Sequence, residues 1–160
     1  MGFVNVQPEV PYVNQPTASI CWLACLQMLY LWKGRPKSEP LDKLNADPDV
    51  WPDYWLQNGI APENCLTIAR CLGLGRAGDG DADIGYLAAA LKSHGPYWVC
   101  GEWVKNSPHV KVVTGVDVAA NQIKLLNPWN PIDNTDFNSI EDFNNRGTRW
   151  KVLGSFMYWN

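Results

Sequence analysis

Ile20-Cys21-Trp22-Leu23-Ala24-Cys25-Leu26-Gln27-Met28-Leu29-Tyr30-Leu31-Trp32 is the stretch on which the fold turns. Only Gln27 interrupts its apolar character, so the one-sided stripe of a surface helix is absent and a central helix buried on every side is expected. Thr17 or Ser19 stands where an N-cap is wanted, and Gly34 and Pro36 end the helix. The run is 13 residues long, short of the roughly 18 apolar residues that span a bilayer.

Working outward, residues 8–16 are extended and punctuated by Pro8, Pro11 and Pro16. Downstream, Asp49 to Asn58 reads as a short helix closed by Gly59, and Pro62 to Leu72 as another, with Pro62 in its first turn and Gly73 past its end. Asp83 to Ser93 is a fourth, stopped by Gly95-Pro96. After Pro96 the period changes. Tyr97 to Trp103, His109 to Val118 and Gln122 to Asn127 are β-branched or aromatic runs of strand length. Residues 128–148, rich in Asn, Asp, Pro and Gly, read as a long surface loop with one helical turn near Ser139 to Phe143, and a last strand is expected over Arg149 to Tyr158. Helices followed by antiparallel strands mean α+β. The chain reads as one domain over 1–160, a helical half at about 17–95 packed on a curled antiparallel sheet from about 96–160.

The bulk properties remove several classes. A chain of 160 residues with 46% apolar content has enough for one core and is not disordered. Its net charge of −3, without a basic stripe, argues against nucleic acid as a partner. No basic segment followed by an apolar run opens the chain, so no secretory signal peptide is read, and no stretch suits a membrane. Five cysteines leave at least one thiol unpaired. Cys65 and Cys71 on one helix stand about 9 Å apart, beyond the roughly 7 Å reach of a disulfide. Neither the cysteines nor His94 and His109 follow a zinc pattern, so no metal and no cofactor is implied.

A constellation of four side chains carries chemistry. Cys21 falls in the first turn of the buried helix, where free backbone N–H groups and the helix dipole favour a thiolate, so a lowered pKa is expected. His109 and Asn127 lie on two strands joined by a short turn around Ala119-Ala120, which brings them within a residue or two of each other across the hairpin. Asn127 then orients the imidazole. Asp117 is excluded from that role, since it stands about 26 Å further along the same strand. Gln15, six residues before Cys21, can donate with the Cys21 N–H to a developing oxyanion.

With these residues in place, the order Gln15, Cys21-Trp22, His109, Asn127-Pro128-Trp129 resembles the signature of the papain-like cysteine proteases. The gaps of 88 residues from Cys21 to His109 and 18 from His109 to Asn127 are unlike those of the plant and lysosomal enzymes. Together with Val10-Pro11-Tyr12-Val13-Asn14-Gln15, Gly95-Pro96-Tyr97-Trp98-Val99 and His109-Val110-Lys111-Val112-Val113-Thr114-Gly115-Val116, they are similar to compact bacterial effector proteases of the avirulence type. The bacteriocin-leader peptidases have a similar layout. The likeness covers about residues 8–130, and departs from those relatives at Asn127, where they commonly carry Asp, and at Ile20, where the plant enzymes have a small residue.

The resemblance implies a papain-like fold and a cysteine endopeptidase with Cys21 as nucleophile, His109 as base and Asn127 as orienter. It implies an oxyanion hole from Gln15 and Cys21, with Trp22 and Trp129 supporting, the latter shielding the His109–Asn127 bond. It further implies a protein or peptide substrate, a monomer with a host activator or cognate inhibitor as partner, and a toxin or virulence effector exported by a specialised system, or otherwise a cytoplasmic enzyme. Two readings stay open beside it: a deamidase, amidase or transglutaminase-type acyl transferase using the same triad, and a peptide-binding module on a retired protease fold. Other features are given bland readings. Cys25, Cys65, Cys71 and Cys100 read as packing thiols, His94 as a helix-end cation, Gly73 to Gly78 as no phosphate loop because a helix precedes it, and Asp79, Asp81 and Asp83 as solvated carboxylates.

Overall fold

A computed structural model describes residues 2–104 and 107–160. Its central element is α1 (Cys21–Trp32), entered through a 3-10 turn at Ala18–Ile20. Nine of its residues, from Cys21 to Leu26 and from Met28 to Tyr30, are buried, as an all-round apolar helix requires. The expected side-chain cap is absent: no cap bond closes the helix start, and the Ser19 hydroxyl donates instead to the Leu56 carbonyl. Four further helices surround it: α2 (Glu39–Ala46), α3 (Pro52–Asn58), α4 (Pro62–Leu72) and α5 (Ile84–His94). The sequence reading missed α2, whose apolar content is slight; Pro40 in its first turn and Leu44 are the residues it buries.

The sheet comprises β1 (Val4–Asn5), β2 (Gly75–Arg76), β3 (Tyr97–Val104), β4 (Ser107–Asp117), β5 (Gln122–Leu126), β6 (Thr135–Ser139) and β7 (Phe156–Tyr158). Its strand order is β2-β7-β3-β4-β5-β6, with β1 pairing on β4, and every pairing is antiparallel. The fold class is therefore α+β, six α-helices with one antiparallel sheet of seven strands among the described residues. The helical half is not purely helical, because β2 comes from it, and β1 comes from the segment before it.

Two expectations in the second half are corrected. The surface loop expected over 128–148 contains a strand, β6, that pairs along its whole length with β5, while the helical turn expected there is present as α6 (Ile140–Asn144). The final strand expected over 149–158 shrinks to Phe156–Tyr158, because Gly154 turns the chain with φ +95° directly against the Leu66 backbone, where a Cβ would stand 2.8 Å from the Leu66 nitrogen.

The core runs continuously from α1 into the sheet. Trp22, Cys25, Leu26, Met28 and Leu29 meet Trp98, Val110, Val112 and Val113 within one cluster of buried residues. Indole N–H groups join the layers: Trp98 Nε1 donates to the Trp22 carbonyl at 3.0 Å, Trp159 Nε1 to Leu29 at 2.9 Å, and Trp22 Nε1 to Trp55 at 3.3 Å. Much of the heavy tryptophan content thus fills core volume while its polar edge reaches main-chain acceptors. No helix among the described residues is long and apolar enough to cross a membrane.

Candidate active site

Cys21 is the first residue of α1 and sits at the base of the 3-10 turn, 9% exposed. The expected lowered pKa is not found. Burial pushes the thiol up to about 11, against weaker opposing hydrogen bonds from the backbone of Val110, Trp22 and Cys21 itself. Loss of water around the thiolate outweighs the N–H groups of the helix start.

His109 enters from β4 and Asn127 from the end of β5. Val112 faces Leu126 in that ladder, so the two residues sit two steps from direct opposition, as the short hairpin requires. His109 Nε2 and Asn127 Oδ1 are 2.8 Å apart. The amide is not free to turn. Asn127 Oδ1 also accepts from the Trp129 backbone N–H at 3.1 Å, and Asn127 Nδ2 donates to Asp136 Oδ2 at 3.0 Å. With oxygen facing the ring, Nε2 carries the proton and donates, which leaves Nδ1 as the basic nitrogen. Burial lowers the imidazole pKa, and the Asn127 hydrogen bond opposes that shift.

Around this pair the chain is clamped. The Tyr12 hydroxyl donates to the Asn127 carbonyl at 2.8 Å, and the Gln15 backbone N–H donates to the Pro128 carbonyl at 2.8 Å. Gln15 itself is 4% exposed. Its Nε2 donates one hydrogen to the Thr17 carbonyl at 2.8 Å, so the second is available, while Oε1 has no partner among the described residues. A cleft of about 300 Å³ is lined by Gln15, Ala18, Trp103, Ser107, Pro108, His109, Lys111, Asn127 and Trp129. Trp129 is 57% exposed and forms part of this lining. Trp22 is fully buried beneath the helix start, edge-on to Trp55.

Two residues near the site escaped the sequence reading. Lys111 is buried, and its Nζ lies 2.7 Å from Asp136 Oδ2 and 5.2 Å from the centroid of Trp103. A lone lysine in the apolar run Val110–Val113 was the available signal, because a buried ammonium demands a carboxylate partner. Asp136 was hidden by the reading of its strand as loop.

The residues set aside take structural places. Cys25 is fully buried and its thiol donates to the Val110 carbonyl. All five cysteines are free thiols. His94 Nδ1 lies 3.0 Å from the Trp159 carbonyl. Asp83 caps α5 by accepting from the Tyr86 N–H, and Asp81 pairs with Lys151. A larger cavity, about 440 Å³, lies over Asp79, Asp81, Asp83, Tyr86, Tyr97 and Phe156, but no thiol or imidazole lines it. Among the described residues no cluster of His, Cys, Asp or Glu is arranged to hold a metal.

The arrangement supplies a thiol at a helix start, a base whose free nitrogen is selected by an oriented amide, and a buried side-chain amide with a spare N–H. Those are the parts of nucleophilic acyl transfer. Comparison with known proteins points the same way. Residues 4–147 match the model of the family described as papain-like cysteine protease AvrRpt2. No curated protein sequence matches the chain. Among solved structures, the chain resembles the peptidase domain of Streptococcus ComA, a bifunctional ABC transporter of a quorum-sensing pathway. The TM-score is 0.54 at 18% identity, covering 95% of this chain and 100% of that one. It also resembles a double-glycine-motif protease from an AMS/PCAT transporter in complex with its leader peptide, at TM-score 0.52 and 18% identity, covering 96% and 97%.

Proposed function

The chain belongs to the AvrRpt2 family of papain-like cysteine proteases, and from that premise we propose that it cleaves peptide bonds with Cys21, His109 and Asn127 as its triad. The observation that carries the assignment is the hydrogen bond from His109 Nε2 to Asn127 Oδ1, which leaves Nδ1 as the basic nitrogen of the imidazole.

His109 Nδ1 takes the thiol proton as Cys21 Sγ attacks the scissile carbonyl carbon. The carbonyl oxygen becomes an oxyanion held by the Cys21 N–H and the free Nε2 hydrogen of Gln15. On collapse the imidazolium returns its proton to the departing amine, leaving a thioester on Cys21. Water, deprotonated by His109, then attacks the thioester, and the carboxylic product leaves as the thiol is re-formed. Trp129 covers the edge of the His109–Asn127 pair and restricts water there. The substrate on this reading is a segment of protein or peptide laid in the cleft beside Trp103 and Trp129, bound by the chain as a monomer. The family's name and the sequence resemblance support an effector delivered into another cell, with a host activator or cognate inhibitor as its partner.

The test is to treat the protein, and Cys21→Ala, with an epoxysuccinyl peptide probe and with casein as an unstructured substrate. Labelling of Cys21 with new peptide termini, both absent from the variant, is the expected result. Labelling without any cleavage, but with ammonia released from glutamine side chains, would replace proteolysis by amidase chemistry on the same triad. No preferential labelling of Cys21 in folded protein would remove it as nucleophile and favour a peptide-binding module.

A further inference from the structure

We propose that Asp136, held by Lys111, is a positioning residue of the site: its carboxylate fixes which end of the Asn127 amide faces His109 and so sets the tautomer of the base. The proposal rests on the triad reading above.

An asparagine is an ambiguous orienter, because its two ends differ in chemistry but hardly in shape. Turned over, Asn127 would present N–H to His109 Nε2 and favour the tautomer protonated at Nδ1. The nitrogen needed to accept the thiol proton would then already carry one. Asp136 acts against this, since an ionised carboxylate only accepts. Its Oδ2 stands 3.0 Å from Asn127 Nδ2, so the turned amide would set oxygen against oxygen there, and would also lose the Trp129 N–H bond at 3.1 Å to Oδ1.

Lys111 keeps that carboxylate in place. Its Nζ is 2.7 Å from the same Oδ2, and its side chain is 8% exposed where that of Asp136 is 33% exposed. A buried ammonium needs a counter-charge, so the pair is held from the lysine side. Lys111 and Asp136 push the His109 pKa in opposite directions. The pair's contribution to the site is orientation. Strand β6 gains a purpose from this: pairing Asp136 with Leu125 on β5 delivers the carboxylate to a residue two positions further along.

The probe for the test is the epoxysuccinyl peptide, read as the saturating alkylation rate of Cys21 and as the half-saturation concentration. Asp136→Ala should lower the rate about tenfold, a size common for coupled residues of one hydrogen-bond network, with half-saturation unchanged. Because it acts through Asn127, the double variant Asp136→Ala/Asn127→Ala should be no slower than Asn127→Ala alone. Nitrogen-15 shifts of His109 should report protonated Nε2 in the parent and a mixture of tautomers in Asp136→Ala. Should Asp136→Ala fail to fold with the Lys111 charge stranded, Lys111→Met/Asp136→Ala removes that charge and the same results are expected of it. A wild-type rate in the Asp136 variants, losses that multiply in the double variant, or an unchanged tautomer overturns the positioning role alone. A wild-type rate in Asn127→Ala would instead overturn the triad.

Discussion

The Cys21 thiol is pushed up to about 11 and the His109 imidazole is drawn below its ordinary 6.5, both chiefly by burial. Near neutral pH the two are thus uncharged, and on the proposed mechanism thiolate forms only as the proton moves to Nδ1. On that mechanism His109 is a general base and not the partner of a standing ion pair. Alkylation of Cys21 by iodoacetamide should therefore rise with pH only below 6.5, then stay level to about pH 9, since the assisted path needs neutral imidazole and neutral thiol together. In His109→Ala the rate at pH 7 should fall by roughly 10²–10⁴ and climb about tenfold per pH unit with the thiolate fraction. Parallel profiles for the two proteins would exclude the base role. The start of α1 at Cys21, the pairing of His109 with Asn127 and the lead-in position of Gln15 were legible in the sequence because each placement is local: a helix start, a short hairpin, one extended lead-in. The direction of the thiol's pKa was not, because it depends on how much of the sheet closes over the sulfur. Asp136 was not, because Thr135-Asp136-Phe137-Asn138-Ser139 has weak strand propensity and is held extended by its pairing with β5.

Among the elements, α1 and α4 were readable to within a residue, since periodicity and the Pro62 and Gly73 signals lie inside them. Elements that owe their limits to distant contacts, α2, β6 and the shortened β7, were not. The junction of α5 and β3 belongs to the first kind and allows a sharp expectation. Gly95 caps α5 with φ +81° and ψ −151°, a conformation essentially reserved for glycine, and an added Cβ would collide with the indole ring of Trp32. Relieving the collision would shift either α1, which carries Cys21, or the strand that carries Trp98. Gly95→Ala should cost about 2 kcal/mol or more, backbone strain of about 1–3 kcal/mol with the clash added. Urea denaturation reads this as a lower midpoint at unchanged slope. A midpoint equal to the parent's would show that the junction yields freely, and the close fit of α1 to α5 would lose its importance.

At the scale of the molecule, one core holds an unusual number of protonated acids. Burial raises Cys21, Cys25 and Cys100 above the ordinary thiol value of 9.0, and Tyr30, pushed up to about 12, and Tyr97 above the ordinary phenol value of 10.0. Above pH 9 an unfolded chain releases protons that the folded one keeps. Protons bound in the native state then exceed those bound in the unfolded state, so the stability slope with pH is negative. The full contribution is present below 9.0 and is lost as pH rises through the folded values. On the acid side His109 has the opposite sign: its lowered pKa means stability is lost as pH falls from 6.5 through the folded value. The plateau should lie between these limits. By pH 10 three thiols that stay protonated cost about 4 kcal/mol together, at about 1.4 kcal/mol per proton and pH unit, a large part of the 5–15 kcal/mol typical of a whole domain. Urea unfolding at pH 7.5 and pH 10, with reductant present, measures this. Cys25→Ala/Cys100→Ala, read against its own value at pH 7.5, should lose about 3 kcal/mol less than the parent over the same interval. If both proteins lose the same amount, the two deep thiols titrate in the folded state. The sheet would then open to water between α1 and β3, where the packing of Trp22 against Trp98 requires it to be closed.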